Sequence, residues 1–277
     1  MTALTTVDEL AVRLASTTVL DVRWQLGRSD GRERHEAGHV PGAAYVDLET
    51  DLADPPGRGG RHPLPDPARF AEAMRRCGVG HDRPVVVYDE VGGTSAARCW
   101  WLLRFHGHPD VTLLDGGWAA WQDAGGAVET GPVTPPYGSF EGSPGHLPVV
   151  DAEDAERIAA AGALVDARAP ERFRGEVEPV DPVAGHVPGA VNVPTAANLD
   201  ASGRFRRVEE LRDVYAAALE ADAVAVYCGS GVTAAHDVLA LELLGVRAAL
   251  YAGSWSEWVT DPARAQRAAT CSGATAE

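Results

Sequence analysis

The sequence predicts an α/β protein made of two tandem copies of one domain, each a mostly parallel sheet with helices on both faces. Three observations predict it. The string GHVPGA occurs at residues 38–43 and again, unchanged, at residues 185–190. Two further runs recur in the same order and at nearly the same spacing. Val85-Val86-Val87-Tyr88-Asp89 is echoed by Val224-Ala225-Val226-Tyr227-Cys228, and Leu113-Leu114-Asp115-Gly116-Gly117-Trp118 by Leu250-Tyr251-Ala252-Gly253-Ser254-Trp255. Internal duplication explains all of this at once. Finally, short β-branched runs alternate with stretches of helical apolar period, such as Val232, Ala235, Leu239 and Leu243. That alternation is the mark of βα units around a parallel sheet buried on both faces.

Each copy opens with a short apolar strand ending in Asp-x-Arg, at Asp21 to Arg23 and at Asp166 to Arg168. Because both copies carry it, this motif is expected to be structural. Between the copies, residues 131–148 are rich in proline and glycine and lack apolar period, which predicts an extended linker over the surface. The expected domains are therefore residues 1–130 and 149–277. At 277 residues and 45% hydrophobic content, each half can bury its own core without metal or disulfide staples.

The formal charge of −16 disfavours nucleic-acid and anionic-lipid partners by Coulomb repulsion. An anionic substrate would have to be held by a few local arginines and backbone amides. Residues 1–19 carry Asp8 and Glu9 and no continuous apolar run, so no secretory signal is expected, and no stretch reaches membrane-spanning length. The four cysteines, 77, 99, 228 and 271, match neither zinc-site spacing nor a CxxC pair. Free thiols in a reducing cytoplasm are expected, with no metal or organic cofactor implied.

In parallel sheets, function sits in loops beyond the carboxyl ends of strands. Cys228 directly follows the strand run 224–227, and Gly229-Ser230-Gly231-Val232-Thr233 leads into the next helix. Glycines allow backbone angles that turn N–H groups inward, and a helix N-terminus adds partial positive charge, so a thiolate is stabilised there. A buried inert cysteine is the bland alternative. Cys99 lies in a Trp- and Leu-rich stretch and reads as core, while Cys77 and Cys271 have no activating context.

These residues resemble the tandem rhodanese family of sulfurtransferases, in which the active-site loop begins with a sulfur-carrying cysteine. CGSGVT is similar to the 3-mercaptopyruvate sulfurtransferase form of that loop. Members that prefer thiosulfate tend to carry basic residues where this chain has Gly229 and Ser230. The resemblance, which also includes both GHVPGA strings and residues 253–258, spans nearly the whole chain. It implies sulfur transfer through a Cys228 persulfide, from a small anionic donor to a thioredoxin-like or low-molecular-weight thiol, or to cyanide. Thiosulfate:cyanide transfer and a persulfide carrier without turnover remain alternatives. A monomer or weak oligomer is expected.

By the same resemblance Ser230 would join His39 and Asp30 in a relay that polarises the donor, Arg172 would hold the donor's anion, and Gly229, Gly231, Val232 and Thr233 would line the pocket; of the tryptophans, expected to pack helices on the sheet, Trp255 is the one expected to line the pocket as well. His39 has a structural alternative, since His186 occupies the same place in the other copy. Family members usually place a second arginine nine residues beyond Arg172, where this chain has Asp181. Arg174 reads as an ordinary exposed charge. The first copy carries Asp89 at the cysteine position and is expected to be catalytically silent. Phosphatases with related folds use a CxxxxxR loop, whereas the residue six beyond Cys228 is Ala234. A phosphoryl group would lack its clamp there.

Overall fold

The structure is a computed structural model that describes residues 3–269. It divides into two compact units, the first comprising Met1–Pro55, Leu64–Pro148 and Leu199–Phe205, and the second Pro56–Pro63, Val149–Asn198 and Arg206–Glu277. Two short segments thus belong to a different unit from the one their place in the sequence suggests. Each follows the edge strand of its own repeat and precedes a helix, Pro67–Arg76 in one case and Val208–Val214 in the other.

The first unit holds a five-stranded sheet of order β1-β5-β4-β2-β3, with β1 Leu4–Thr5, β2 Thr18–Asp21, β3 Ala44–Tyr45, β4 Val85–Tyr88 and β5 Val111–Leu114. The second holds a four-stranded sheet of order β7-β6-β8-β9, with β6 Leu164–Asp166, β7 Val191–Asn192, β8 Ala225–Tyr227 and β9 Ala249–Leu250. All pairings within both sheets are parallel. The central strands β4 and β8 are buried at every residue, as β-branched runs covered by helices on both faces must be. Residues 232–244, with their helical period, form the helix Ala234–Leu243, and Cys99 is buried within the helix Thr94–Phe105.

The repeated motifs have one structural job, done twice. Asp21 ends β2 opposite Tyr88 of β4, and Asp166 ends β6 opposite Tyr227 of β8. Each aspartate binds the arginine two residues on, and that arginine donates to the first carbonyl of the repeated string: Arg23 to Gly38 at 2.6 Å, Arg168 to Gly185 at 2.7 Å. Each tyrosine hydroxyl accepts the valine N–H of the same string, from Val40 and from Val187, at 3.1 Å. All four aspartate and tyrosine side chains are fully buried, so every one of these polar groups must be paired.

Residues 131–148 contain no helix or strand, yet they do not lie loosely over the surface. Gly138 and Phe140 donate backbone hydrogen bonds to Arg75 and Val79, and the Phe140 ring is fully buried against Phe70. One aromatic residue therefore pins this stretch onto the first unit. Removing the tyrosine hydroxyl from the shared lock strands a buried N–H. Tyr227→Phe is expected to lower the unfolding free energy by about 1–2 kcal/mol, and Tyr88→Phe by a similar amount. Urea denaturation of the two variants, read by tryptophan fluorescence, measures both.

Candidate functional site

Cys228 is the first residue after β8 and is only 2% exposed. Its Sγ accepts a hydrogen bond from the Gly231 N–H at 3.1 Å, which closes the loop around the sulfur. Gly231 has a φ of +77°, and a β-carbon there would lie 2.2 Å from the Ala252 carbonyl oxygen. Only glycine fits this turn. The loop is braced from below: Ser254 Oγ accepts the Cys228 N–H, and Trp255 and Ser256 donate their N–H groups to the carbonyls of Cys228 and Gly229.

The equivalent loop of the first unit wraps a carboxylate instead. Asp89 Oδ1 accepts from the N–H groups of Val91 and Gly93, and Oδ2 from those of Ser95 and Ala96, at 2.8–2.9 Å. Burial pushes the Asp89 carboxyl above the usual carboxylate range, against the pull of those four donors. The Trp118 N–H bonds to the Asp89 carbonyl as the Trp255 N–H does to that of Cys228. A loop of this design holds an anion at the place where its strand ends.

Ser230, expected in a relay with His39 and Asp30, meets a histidine from another part of the chain. Ser230 Oγ lies 2.7 Å from Nδ1 of His62, a buried residue of the segment Pro56–Pro63, which belongs to the second unit. His39 is fully buried in the first unit, where its Nδ1 bonds the His35 carbonyl at 2.8 Å and its ring stacks on His35. His186 does the same in the second unit, bonding the Phe173 carbonyl and stacking on Phe173. The GHVPGA histidine thus makes the same kind of packing contact in both copies. Asp30 is half-exposed and pairs with Arg28 and Arg34.

The segment that carries His62 is seated by backbone contacts. Gly57 and Gly60 exchange N–H···O bonds at 3.0 Å, and the Arg61 N–H donates to Ser256 Oγ at 3.0 Å. Gly60 has a φ of +96°, and a β-carbon there would lie 2.7 Å from the Gly253 carbonyl oxygen. The cue available in the sequence was GRGGRH, whose glycines announce close backbone approach. Nothing in its spacing ties it to Ser230.

Arg172, from the short helix Pro170–Phe173, donates to Glu178 Oε1 at 2.7 Å and to Asp181 Oδ2 at 3.2 Å. Asp181 also binds the Arg61 guanidinium. Both arginines face the loop: a β-carbon on Gly229 would lie 2.8 Å from Nη2 of Arg61 and 3.5 Å from Nη1 of Arg172. Burial pushes the Asp181 carboxyl above the usual carboxylate range, with Arg61 pulling it down. For Glu178, burial pulls upward, but the Asp181 N–H, the Arg172 guanidinium and the Val180 N–H outweigh it, and its carboxyl is held below the usual range.

Among the remaining expected residues, Gly229, Gly231 and Val232 are buried in the loop and Thr233 is half-buried where the next helix begins. Trp255 is corrected from pocket wall to core. It is fully buried, its Nε1 donates to the Val183 carbonyl, and its ring stacks on Trp258 and takes the Arg168 guanidinium over its face. Arg174 pairs with Glu176 at the surface. Burial pushes the Cys77 thiol up to about 12 and that of Cys99 well above the ordinary range, so neither rivals Cys228 as a nucleophile. Cys271 lies outside the described residues. No helix of the described residues is long and apolar enough to cross a membrane.

Comparison with known proteins gives a consistent picture. The model of the rhodanese-like domain matches residues 6–124 and 151–261. A Pseudomonas aeruginosa protein named "Probable 3-mercaptopyruvate sulfurtransferase" is 47% identical over 273 residues, covering 94% of this chain and 96% of its own. SseB of Mycobacterium tuberculosis, provisionally named a thiosulfate sulfurtransferase, is 47% identical over 258 residues, covering 89% of each chain. The crystal structure of SseA from Escherichia coli, a 3-mercaptopyruvate sulfurtransferase by its description, superposes with a TM-score of 0.80 at 36% identity, covering 93% of this chain and 100% of that one.

Glu178 is the carboxylate that fixes Arg172, and its side chain is only 4% exposed. Because its folded-state carboxyl titrates below the ordinary value of 4.5, it contributes stability above that pH and loses it as the pH falls through the depressed value. Glu178→Gln is expected to cost about 2–3 kcal/mol at pH 7. The gap from wild type should shrink below pH 4, as denaturant melts at several pH values would record.

Proposed function

The chain belongs to the rhodanese family and is a sulfurtransferase, and from that premise we propose that it carries sulfur as a persulfide on Cys228 and takes it by preference from 3-mercaptopyruvate. The observation that supports this most is the buried Cys228 Sγ receiving the Gly231 N–H, in a loop whose counterpart holds the anionic side chain of Asp89. Such a loop stabilises a thiolate before transfer and a persulfide after it.

The proposed cycle is a double displacement. The Cys228 thiolate attacks the donor's sulfur, an S–S bond forms, and the C–S bond breaks with its electron pair leaving on the pyruvate carbon as an enolate. That carbon takes up one proton, and the donor's thiol proton balances it. An acceptor thiolate or cyanide then attacks the outer sulfur, and the S–S pair returns to Cys228. The Ser230–His62 pair is the group suited to moving these protons, since histidine exchanges protons near neutral pH.

Mercaptopyruvate is favoured because the residues that follow the cysteine, Gly229 and Ser230, are uncharged, and because Asp181 and Glu178 offset the charges of Arg61 and Arg172. Thiosulfate, a dianion, is the second reading, and the presence of two arginines beside Gly229 speaks for it. Asp89, which cannot carry sulfur, makes the first copy the silent one. The described cysteines are all free thiols, which suits a reducing cytoplasm and a small thiol or thioredoxin-like acceptor.

Initial rates with each donor, using cyanide and a dithiol as acceptors, test this reading. The wild type is expected to show a kcat/KM for mercaptopyruvate at least tenfold above that for thiosulfate, and Cys228→Ser to fall to the uncatalysed level with both. His62→Asn should lose about 100-fold or more. Transfer surviving in Cys228→Ser would overturn the persulfide assignment, and a reversed preference would move the donor to thiosulfate. Persulfide loading without turnover would mark a sulfur carrier.

A further inference from the structure

Arg172 alone gives a donor anion one guanidinium, and the residue nine positions on is an acid, Asp181. A second guanidinium is nevertheless present. Arg61 reaches the same side of Gly229 as Arg172, its Nη2 being the atom nearest to a β-carbon at that glycine. Asp181 bridges the two arginines, with one oxygen on each. The Nε–H of Arg61 is buried and has no hydrogen-bond partner among the described residues. An unpaired charged donor beside a nucleophile's loop costs free energy unless an acceptor arrives there.

We infer that Arg61 supplies the second guanidinium of the donor-anion clamp, and that the bridging Asp181 carboxylate stands where the donor's anion binds and biases the clamp towards singly charged donors. This rests on the reading of Cys228 as the sulfur carrier. The charge balance gives the selection its direction. Two guanidinium groups face two carboxylates, Asp181 and Glu178, so the cluster is near neutral before a donor enters. A monoanionic carboxylate need only displace Asp181 from one guanidinium, and a planar carboxylate matches that fork with two parallel bonds. A dianion adds a second charge against the Asp181 carboxylate in a partly desolvated site, where like charges repel more strongly than in water. Arg61 reaches this place because Gly57, Gly60 and the Ser256 hydroxyl seat its backbone in the second unit.

The test separates loading of Cys228 from its discharge, both followed by mass spectrometry of the intact protein in single-turnover experiments. Arg61→Ala should slow loading by mercaptopyruvate at least tenfold, while discharge of the preformed persulfide to cyanide stays within twofold. Arg61→Lys, which keeps the charge and loses the fork, should fall between the two. Asp181→Asn should raise loading by thiosulfate at least fivefold relative to loading by mercaptopyruvate. Arg174→Ala, altering a surface arginine outside the cluster, serves as the control and should match wild type. Loading of Arg61→Ala within twofold of wild type, or equal losses in loading and discharge, overturns the clamp. An unchanged donor ratio in Asp181→Asn overturns the selection. Wild-type protein that loads from neither donor overturns the sulfur-carrier reading itself, an outcome distinct from the others.

Discussion

The second unit is organised around one buried carboxylate, Asp166. It fixes Arg168, whose guanidinium is held by Asp166 on one side and reaches Glu178 and the Gly185 carbonyl on the other. Glu178 in turn orients Arg172, Arg172 shares Asp181 with Arg61, and both arginines reach the Cys228 loop. Asp166 also takes a hydrogen bond from Tyr227, the residue before Cys228. A charge this deeply buried persists only when every partner is in place, so the carboxylate ties the geometry of the arginines to that of the strand end. The site inherits its rigidity from a lock that exists for structural reasons.

The first unit contains the same lock at Asp21, Arg23 and Tyr88. There the loop after the central strand closes around Asp89 with four N–H donors. Backbone amides arranged to hold an anion are indifferent to whether it is carboxylate or sulfur, because they respond to charge and distance. Duplication thus left two loops of one design, one closed around the Asp89 carboxylate and one around the Cys228 sulfur.

Much of this was legible in the chain itself. The repeats, the parallel sheets and the position of Cys228 after a buried strand all follow from local pattern, because strand period and glycine-rich turns are properties of neighbours in sequence, whereas Arg172 was placed near the loop only by family resemblance. The likeness between His39 and His186 offered a structural alternative to the relay expected of His39, and in the structure both stack on a ring and bond that residue's own carbonyl. Trp255 looked like a wall by its place near the loop, but its indole packs beneath Arg168 in the core.

What the sequence determined, then, was the fold of each copy and the place of Cys228 at the end of a buried strand, both encoded within a few residues of one another. Only the tertiary structure decided which histidine meets Ser230 and which arginine joins Arg172. His62 and Arg61 lie in an aperiodic segment more than a hundred residues from those partners, and that segment belongs to the second unit rather than to its sequence neighbours. Its placement depends on close backbone approach at Gly60 and on one hydrogen bond to Ser256. Contacts of that kind leave no period in the chain to read.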